Sequence, residues 1–441
     1  MSIANTIIET TSVLLAGIFI WIGLAHLNQD KPIATRKLLL LLVWAGLMCR
    51  LLYAFFTPPY YAPDERAHLA YICYLAENRT FPVLKDLSDS AGGETEYHQP
   101  PLYYLALAPL FVAVKHLFSS LDGMVIALRL FSICLWGGNV WFGVVLLRRL
   151  QVNDRFMRVF VMGIICFLPT YTFTSAMVNN DNLLVTMSGG FLCLATRQNR
   201  SISNSFAMGL LLGLALLTKQ SAAIFVPATI LLSVLNCRAR RIHWPTGFLH
   251  LAISFGVAGV VYFPWAFRNW EVYGTLTPEF LTFKPALAVT VCKAWPSVVY
   301  GIASASHNLI KTFWAVSGIS NNVGYPFPLV GELLICLFFV LSLKILKPEW
   351  TRSSIYPKEE YKPVMTAFLL AMVLNIILAL RFGYLLGMGQ GRHLFPVLYP
   401  IGLLLAIRFR TLPLRNSAVH AAGFWITYAF SFEAFSLCQF P

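Results

Sequence analysis

The chain has 441 residues, of which 58% are hydrophobic and only 12% are charged, and its mean hydropathy is +0.68. This composition excludes an ordinary soluble domain and indicates an integral membrane protein. The nine cysteines are an odd number, lie singly and form no CxxC pair, which argues against a disulfide framework and against a zinc site.

The net charge of +14 is unevenly distributed along the chain. Six segments hold 20 of the 33 basic residues but only 5 of the 19 acidic ones, and they lie at residues 30–37, 148–158, 197–200, 238–241, 344–362 and 408–415. An excess of Lys and Arg in alternate loops marks the cytoplasmic side of a membrane protein. The positive charge is therefore assigned to membrane topology, and we expect membrane lipid but no nucleic acid as a partner.

The apolar stretches predict the membrane spans, each of which needs about 20 residues. They lie near residues 7–27, 37–57, 123–147, 156–175, 180–196, 204–218, 221–236, 247–266, 326–346, 363–385, 394–409 and 417–437. The first stretch lacks the basic leader and the cleavage site of a signal peptide, so it is expected to stay as a span. This pattern predicts an all-α polytopic protein of about 12 transmembrane helices, with residues 1–441 forming one transmembrane domain without a separate soluble domain.

Two long segments between predicted spans, at residues 58–122 and 267–325, are predicted to be external loops. The segment 98–118 is apolar enough to span, but a span there would turn the basic cluster 148–158 outward and invert every later loop. Pro100, Pro101 and Pro109 each remove a backbone donor, which favours a segment that lies in the interface or dips in and returns. The first external loop is therefore predicted to contain interfacial helices.

Ionisable residues gather at the start of the first external loop, where Asp64, Glu65 and His68 follow Pro63. Proline and acids are favoured in the first turn of a helix, so capping alone explains part of this pattern. A helix here also places Asp64 and His68 on one face. A carboxylate backed by a histidine at a dry interface is suited to general-base catalysis, and both interpretations stay open.

A second acid and a few cations are predicted on the same side of the membrane. Asp181 lies at an external turn among three asparagines, which explains it either as part of a capped turn or as a partner of Asp64 that orients an acceptor or holds a divalent cation. Lys219, Arg268 and Arg392 are candidates to bind a phosphate, with Arg392 beside His393 and among glycines whose amides can contact an anion. The alternative for the arginines is snorkelling to lipid headgroups.

These motifs together resemble the C-type glycosyltransferase superfamily (GT-C), whose members use sugars carried on a polyprenyl phosphate. The similar branches are the protein O-mannosyltransferases, the aminoarabinose transferase of lipid A and a bacterial family of predicted membrane proteins. The matching segments follow the expected order over most of the chain, and they are Asp64-Glu65, HQPPLYY (98–104), Asp181, GLALLTK (213–219), PWAFRNWEVYG (264–274) and GQGRHLFP (389–396).

The resemblance implies a catalytic role for Asp64, with Glu65 beside it and Asp181 as the second acid. It implies substrate binding by a set of polar residues in the external segments, which comprises His68, His98, Gln99, Lys219, Arg268, Arg392 and His393. The alternatives for a cofactor are none, or a divalent cation, Mg²⁺ or Mn²⁺, held by Asp64 and Asp181.

The expected protein is thus a multi-pass enzyme of the bacterial inner membrane with its active site on the external face. It would move a sugar from a polyprenyl-phosphate donor to a glycan, lipid or protein acceptor with inversion, and Asp64 would act as the base or position the acceptor. The alternatives are a transporter or flippase for a lipid-linked glycan, an O-antigen-ligase-like polymerase, and a structural subunit. A transporter is disfavoured because no repeat is visible and the acids cluster at one face.

Overall fold

The computed structural model describes residue 22 and residues 33–83, 96–197, 201–278, 295–314, 316–317, 323–324, 359–386, 389–410 and 418–438. The predicted spans 7–27 and 326–346 lie outside these residues, apart from residue 22. The described helices are α1 Thr35–Phe56, α2 Glu65–Asn78, α3 Leu102–Leu117, α4 Leu121–Arg149, α5 Arg155–Phe167, α6 Pro169–Thr174, α7 Asp181–Ala195, α8 Ile202–Leu216, α9 Phe225–Arg238, α10 Trp244–Tyr273, α11 Trp295–Trp314, α12 Lys362–Leu386, α13 Leu398–Arg410 and α14 Ala418–Cys438.

Three short 3₁₀ helices and one small strand pair complete the described structure. The 3₁₀ helices are Gln220–Ile224, Glu359–Tyr361 and Gly391–Val397, and they lead directly into α9, α12 and α13. The strands β1 Val316–Ser317 and β2 Val323–Gly324 pair antiparallel. The all-α prediction therefore holds apart from this two-residue ladder.

Six of these helical segments are long and apolar enough to cross a bilayer, which makes the chain a multi-pass membrane protein. They are Thr35–Phe56, Leu121–Arg149, Gln220–Arg238, Trp244–Tyr273, Lys362–Leu385 and Gly391–Arg410. The apolar helices α3, α7 and α8 are shorter. Large apolar side chains such as Trp44, Trp141 and Phe263 are exposed on the outer surface of the bundle, as is expected of side chains that face lipid.

Local sequence explains where several helices begin and end. The side chains of Ser120, Asp154 and Ser201 cap the first turns of α4, α5 and α8. The predicted span 156–175 is divided into α5 and α6, because Leu168 precedes a proline and adopts an extended conformation.

The helix contacts define which elements are neighbours. α2 packs on α3, α7 lies between α4 and α8, and α5 packs against α13 and α14. α8 and α10 approach closely, because a Cβ atom on Gly209 would lie 2.3 Å from the carbonyl oxygen of Ser254. The main core lies among α1, α4, α5, α12, α13 and α14.

Candidate active site

The backbone before α2 directs Asp64 away from the helix that it precedes. Asp64 adopts a left-handed conformation with φ of 59°, and its side chain makes no capping hydrogen bond. Instead, its Oδ2 atom forms an ion pair with the Nη2 atom of Arg392, which lies 328 residues further along the chain. Helix capping therefore does not account for the Asp64 side chain.

Glu65, the next residue, is fully buried and has all its acceptors occupied. Its carboxylate receives two hydrogen bonds from Arg129 of α4, from Nε at 2.9 Å and from Nη2 at 2.6 Å. The backbone amides of Tyr60 and Val178 donate to the same carboxylate, each at 3.2 Å. Arg129 also donates to the carbonyl of Thr57 at 2.6 Å. This pair fixes the start of α2 to α1, α4 and the turn before α7.

Asp181 and Lys219 form a second ion pair at the same end of the bundle. The Lys219 ammonium donates to Oδ1 of Asp181 at 2.6 Å, and the Asp181 side chain is only 3% exposed. The backbone amide of Asp181 donates to Oδ1 of Asn179 at 2.8 Å, so the asparagine-rich turn does organise the helix start. The turn interpretation of Asp181 is therefore supported, and its predicted role as a partner of Asp64 stays a prediction, since its carboxylate pairs with Lys219.

The histidines of the external segment lie in an aromatic environment beside these pairs. His68 is buried, contacts the hydroxyl of Tyr104 at 2.9 Å through Nδ1 and stacks on the Tyr104 ring. His98 is also buried, and its Nε2 atom lies 3.7 Å from Oε2 of Glu96 and 3.4 Å from Nε2 of Gln99.

Electrostatics divide these groups into charged and neutral members. The Asp64 side chain is 42% exposed. Its partial burial raises its pKa, but the charge and hydrogen bond of Arg392 outweigh this effect and lower the pKa to about 2. Burial lowers the pKa of His68 and of His98 to about 4. Burial and the Asp64 charge raise the pKa of Glu96 to about 7. At neutral pH Asp64 is therefore ionised, both histidines are neutral and Glu96 is close to its midpoint.

The segment that carries Arg392 is held tightly against α11. A Cβ atom on Gly391 would lie 2.0 Å from the backbone nitrogen of Phe313, and the Gly391 amide donates to the hydroxyl of Thr312 at 2.6 Å. This close approach requires glycine at position 391. The packing buries Arg392, whose side chain is 9% exposed, with its guanidinium beside Asp64.

Several buried polar atoms around the two ion pairs have no hydrogen-bond partner. They are Nε of Arg392, Nδ1 of His393, Oε1 of Gln390, Oδ2 of Asp181 and Oε2 of Glu96. Buried polar groups in proteins are nearly always paired with protein atoms, water or a ligand. A polar ligand bound between the two ion pairs would supply partners for these five atoms.

Arg268 lies apart from the two ion pairs and makes different contacts. Its guanidinium donates to the carbonyl of Pro82 at 2.5 Å and to Oδ1 of Asn269 at 3.1 Å, and it lies over the rings of Trp265 and Tyr273. The structure therefore gathers Asp64, Asp181, Lys219 and Arg392, whereas Arg268 binds the segment that follows α2. Its predicted role in substrate binding stays a prediction.

Three residues of this region were missing from the predicted site. Arg129 and Tyr104 hold Glu65 and His68, and Glu96 lies beside His98. Glu96 stands two residues before the HQPPLYY motif, which was the one signal available in the sequence.

The possible divalent cation fits these residues poorly. One oxygen of Asp64 and one of Asp181 are each paired with a basic side chain, whose positive charge opposes a cation beside it. In the described part of the chain no three His, Cys, Asp or Glu side chains form a potential metal site. No step of the proposed reaction is therefore assigned to a metal.

Comparison with solved structures identifies the fold. The chain matches the oligosaccharyltransferase of Archaeoglobus fulgidus tethered to an acceptor peptide, with a TM-score of 0.55 and 14% identity over 92% of this chain and 56% of the other. The same enzyme, AglB, with an inhibitory peptide and a dolichol-phosphate gives 0.53 and 14% over 93% and 56%. ArnT of Cupriavidus metallidurans in the apo state gives 0.40 and 15% over 90% and 78%.

No protein-family model and no curated protein sequence matches the chain. The chain spans 56% of the length of the archaeal oligosaccharyltransferase, and at 14% identity the likeness shows the fold alone. The resemblance to the GT-C superfamily that the motifs predicted is confirmed at that level.

Proposed function

We propose that this chain, which has the GT-C fold, is a glycosyltransferase that moves a sugar from a polyprenyl-phosphate donor to an acceptor. The carrying observation is the group of unpartnered buried polar atoms around Arg392, Asp181 and His393. A guanidinium with an open Nε atom offers a strong, directional site for a phosphate oxygen. The fold neighbour with a bound dolichol-phosphate supports a lipid phosphate as the ligand class.

The two ion pairs supply the groups that such a transfer needs. The donor phosphate would bind Arg392 and Lys219, which would stabilise the charge that develops on the leaving group. The acceptor, a glycan, lipid or protein, would attack the anomeric carbon from the opposite face, and a single displacement inverts the configuration. Asp64 would take the acceptor proton or position the acceptor, and Asp181 would hold Lys219.

The proposed location is the outer face of the bacterial inner membrane. The site lies at the end of the helices that is opposite to the basic loops, because Asp64 follows α1 and Asp181 begins α7. The positive-inside rule assigns the basic loops to the cytoplasm. The acceptor would therefore reach the site from the outer side of the inner membrane, and the lipid-linked donor from the bilayer.

Binding of a polyprenyl phosphate to the purified protein in nanodiscs tests the proposal. Arg392→Ala is expected to weaken binding by about 10- to 100-fold, because it removes charge-assisted hydrogen bonds to the phosphate. Arg392→Lys should bind with intermediate affinity, since an ammonium contacts phosphate as a point charge.

The control is Arg66→Ala, which removes an exposed arginine of the same external segment and should leave the affinity unchanged. Equal affinity of wild type and Arg392→Ala, or no binding by either, would contradict the phosphate site. Release of polyprenyl phosphate from a sugar-loaded donor distinguishes a transferase from a transporter, which would move the donor without cleaving it.

A further inference from the structure

Glu96 differs from the other acids of the site in its partners. Asp64, Glu65 and Asp181 each pair with an arginine or a lysine. Among the described residues, Glu96 has no Lys or Arg within ion-pair distance, and the basic atom that it contacts is Nε2 of His98 at 3.7 Å. Its Oε2 atom is buried without a hydrogen-bond partner.

Two backbone hydrogen bonds fix Glu96 next to the ion pairs. The amide of Gln99 donates to the carbonyl of Glu96 at 2.9 Å, which closes a four-residue turn. The amide of Leu102 then donates to the carbonyl of Leu217 at 2.9 Å. This bond ties the turn to the end of α8, two residues before Lys219, so the position of Glu96 is set by the fold.

The charges that face Glu96 come from several elements. Asp64 before α2 raises its pKa, whereas Lys219 after α8 and Arg392 before α13 lower it, and the Gln99 side chain donates to it. Neutral His98 lies beside it, and the Tyr104 hydroxyl of α3 lies close enough for the two groups to interact. Each of the two cations already has an acidic partner, so an ionised Glu96 is the uncompensated charge of this group.

We propose that Glu96 is the group that accepts the proton of the acceptor during sugar transfer, while Asp64 holds Arg392 and positions the acceptor. This inference rests on the proposed function. The acceptor hydroxyl or amine forms a bond to the anomeric carbon and gives its proton to Oε2 of Glu96. The bond between the anomeric carbon and the phosphate oxygen breaks, and its electron pair leaves with the phosphate.

A general base is most effective when its pKa lies near the working pH and its oxygen is not already bound to a cation. Glu96 has a pKa of about 7 and an Oε2 atom without a hydrogen-bond partner. The Asp64 side chain is 42% exposed, but its Oδ2 atom is paired with Arg392 and its pKa is about 2. Because the base must be ionised, activity should rise with pH through about 7. A rise at this pH would ordinarily be assigned to histidine, but His68 and His98 both titrate near pH 4.

Infrared difference spectroscopy of the purified protein across pH tests the titration without any substrate. The carboxyl signal near pH 7 should be equally large in the wild type and in Glu77→Gln, and it should lose the contribution of one carboxyl group in Glu96→Gln. Glu77 is the matched control, because it lies in the same external segment, exposed and paired with Lys115. A carboxyl signal near pH 7 that is undiminished in Glu96→Gln, or that is missing from the wild type, would overturn the inference.

Transfer assays test the catalytic role. Glu96→Gln should lower the rate by about 100-fold or more and abolish the rise near pH 7, whereas Glu96→Asp should retain the rise at a lower rate. His98→Asn should keep the rise as well, because a neutral side chain replaces a neutral imidazole. A rate for Glu96→Gln within threefold of wild type, with the rise intact, would refute the role.

Added polyprenyl phosphate separates this inference from the proposed function. A phosphate held by Arg392 and Lys219 brings negative charge next to Glu96 and should shift the infrared midpoint to higher pH. If the lipid phosphate has no effect and does not bind, the donor site of the proposed function fails, whereas the titration of Glu96 is still decided by the Glu96→Gln spectrum. If the lipid binds and Glu96→Gln transfers like wild type, the role of Glu96 alone fails.

Discussion

The backbone at Asp64 is unusual for a residue that is not glycine. A left-handed conformation costs a non-glycine residue on the order of 1 to 2 kcal/mol, and such strain is tolerated where surrounding contacts impose it. Here the Glu65–Arg129 pair holds the following residue and Arg392 holds the Asp64 carboxylate. The conformation therefore serves to direct the carboxylate toward Arg392, away from the first turn of α2.

Asp64→Asn is expected to abolish transfer without unfolding the protein. Asparagine tolerates the left-handed region nearly as well as aspartate, so the backbone should remain as it is. The variant loses the negative charge that holds Arg392 and positions the acceptor. Because that charge also competes with phosphate for Arg392, binding of polyprenyl phosphate should be as tight as in wild type or tighter.

The measurement pairs a transfer assay with a binding titration of the same preparation. Asp64→Ala provides the contrast, since alanine adds backbone strain and should lower the unfolding temperature as well. Full transfer by Asp64→Asn would remove Asp64 from the mechanism. Weaker binding of polyprenyl phosphate by Asp64→Asn would show that Asp64 supports the donor site. That result would contradict the expectation that Asp64 competes with phosphate for Arg392.

The sequence predicted several site residues but not how they pair. Asp64, Asp181, Lys219 and Arg392 were predicted from two features of the sequence. Charged residues next to membrane spans are costly and therefore rare, and these four lie in motifs that follow the order of the GT-C superfamily. Their pairings join residues 38 and 328 positions apart, which no local pattern records. Glu96 was passed over for the same reason, since the lack of a cationic partner is visible only in the fold.

At the scale of elements, the Glu65–Arg129 pair joins the external helix α2 to the span α4. Both side chains are at most 1% exposed, and the arginine also binds the carbonyls of Ala54, Thr57 and Pro58 at the end of α1. Taking two charges out of water is favourable only when their partners are complete, as they are here. We therefore interpret Glu65 as a positioning residue for Asp64.

Removing one member of this pair should destabilise the protein strongly. Glu65→Ala leaves the Arg129 charge buried and removes the acceptor of two backbone amides, which corresponds to about 3 to 5 kcal/mol. Thermal unfolding in detergent should show a clear loss of stability. The double variant Glu65→Gln with Arg129→Met should recover part of it, because no uncompensated charge remains.

Glu77→Gln is the matched control, since it breaks an exposed pair with Lys115 that is worth about 0 to 1 kcal/mol. If Glu65→Ala unfolds at the wild-type temperature, the pair does not anchor α2. Normal stability combined with lost transfer would instead favour the catalytic role that the resemblance implied for Glu65.

Helix positions were easier to predict than helix continuity. The apolar stretches located α1, α4, α10, α12 and α13, because a span of about 20 apolar residues is a strong signal. The stretch 156–175 is divided at Leu168 because Pro169 follows it. A hydropathy average over about 20 residues does not detect a single proline. The α3 helix has 16 residues, about 24 Å, which is shorter than a hydrocarbon core, and its placement in the interface stays a prediction.

At the scale of the whole molecule, the helix ends separate into two sets. At one end, Arg155 binds the carbonyl of Ile33, and Arg410 pairs with Asp154 at 2.8 Å. The opposite end holds the ion pairs of the site. Arg129 in α4 binds the end of α1, so the chain between these helices leaves and returns at the site end. This agrees with the distribution of Lys and Arg between the loops, which predicted that the segment 98–118 does not cross the membrane.

This separation predicts which side of the membrane each end faces. In a variant without native cysteines, Arg79→Cys at the end of α2 should react with a membrane-impermeant maleimide on intact spheroplasts. Arg240→Cys, in the turn between α9 and α10, should react only after the membrane is permeabilised. The physical reason is that basic loops are retained in the cytoplasm during insertion.

Each cysteine controls for the other, since both replace an exposed arginine at a left-handed position after a helix. Labelling of both variants only after permeabilisation would place the end of α2 inside, and labelling of Arg240→Cys alone on intact spheroplasts would invert the whole protein. Either result would require the acceptor to come from the cytoplasm, because Asp64, Asp181 and Arg392 move with the end of the bundle that carries them. Labelling of Arg79→Cys but not of Arg240→Cys on intact spheroplasts would support a site, and therefore an acceptor, on the outer side of the membrane.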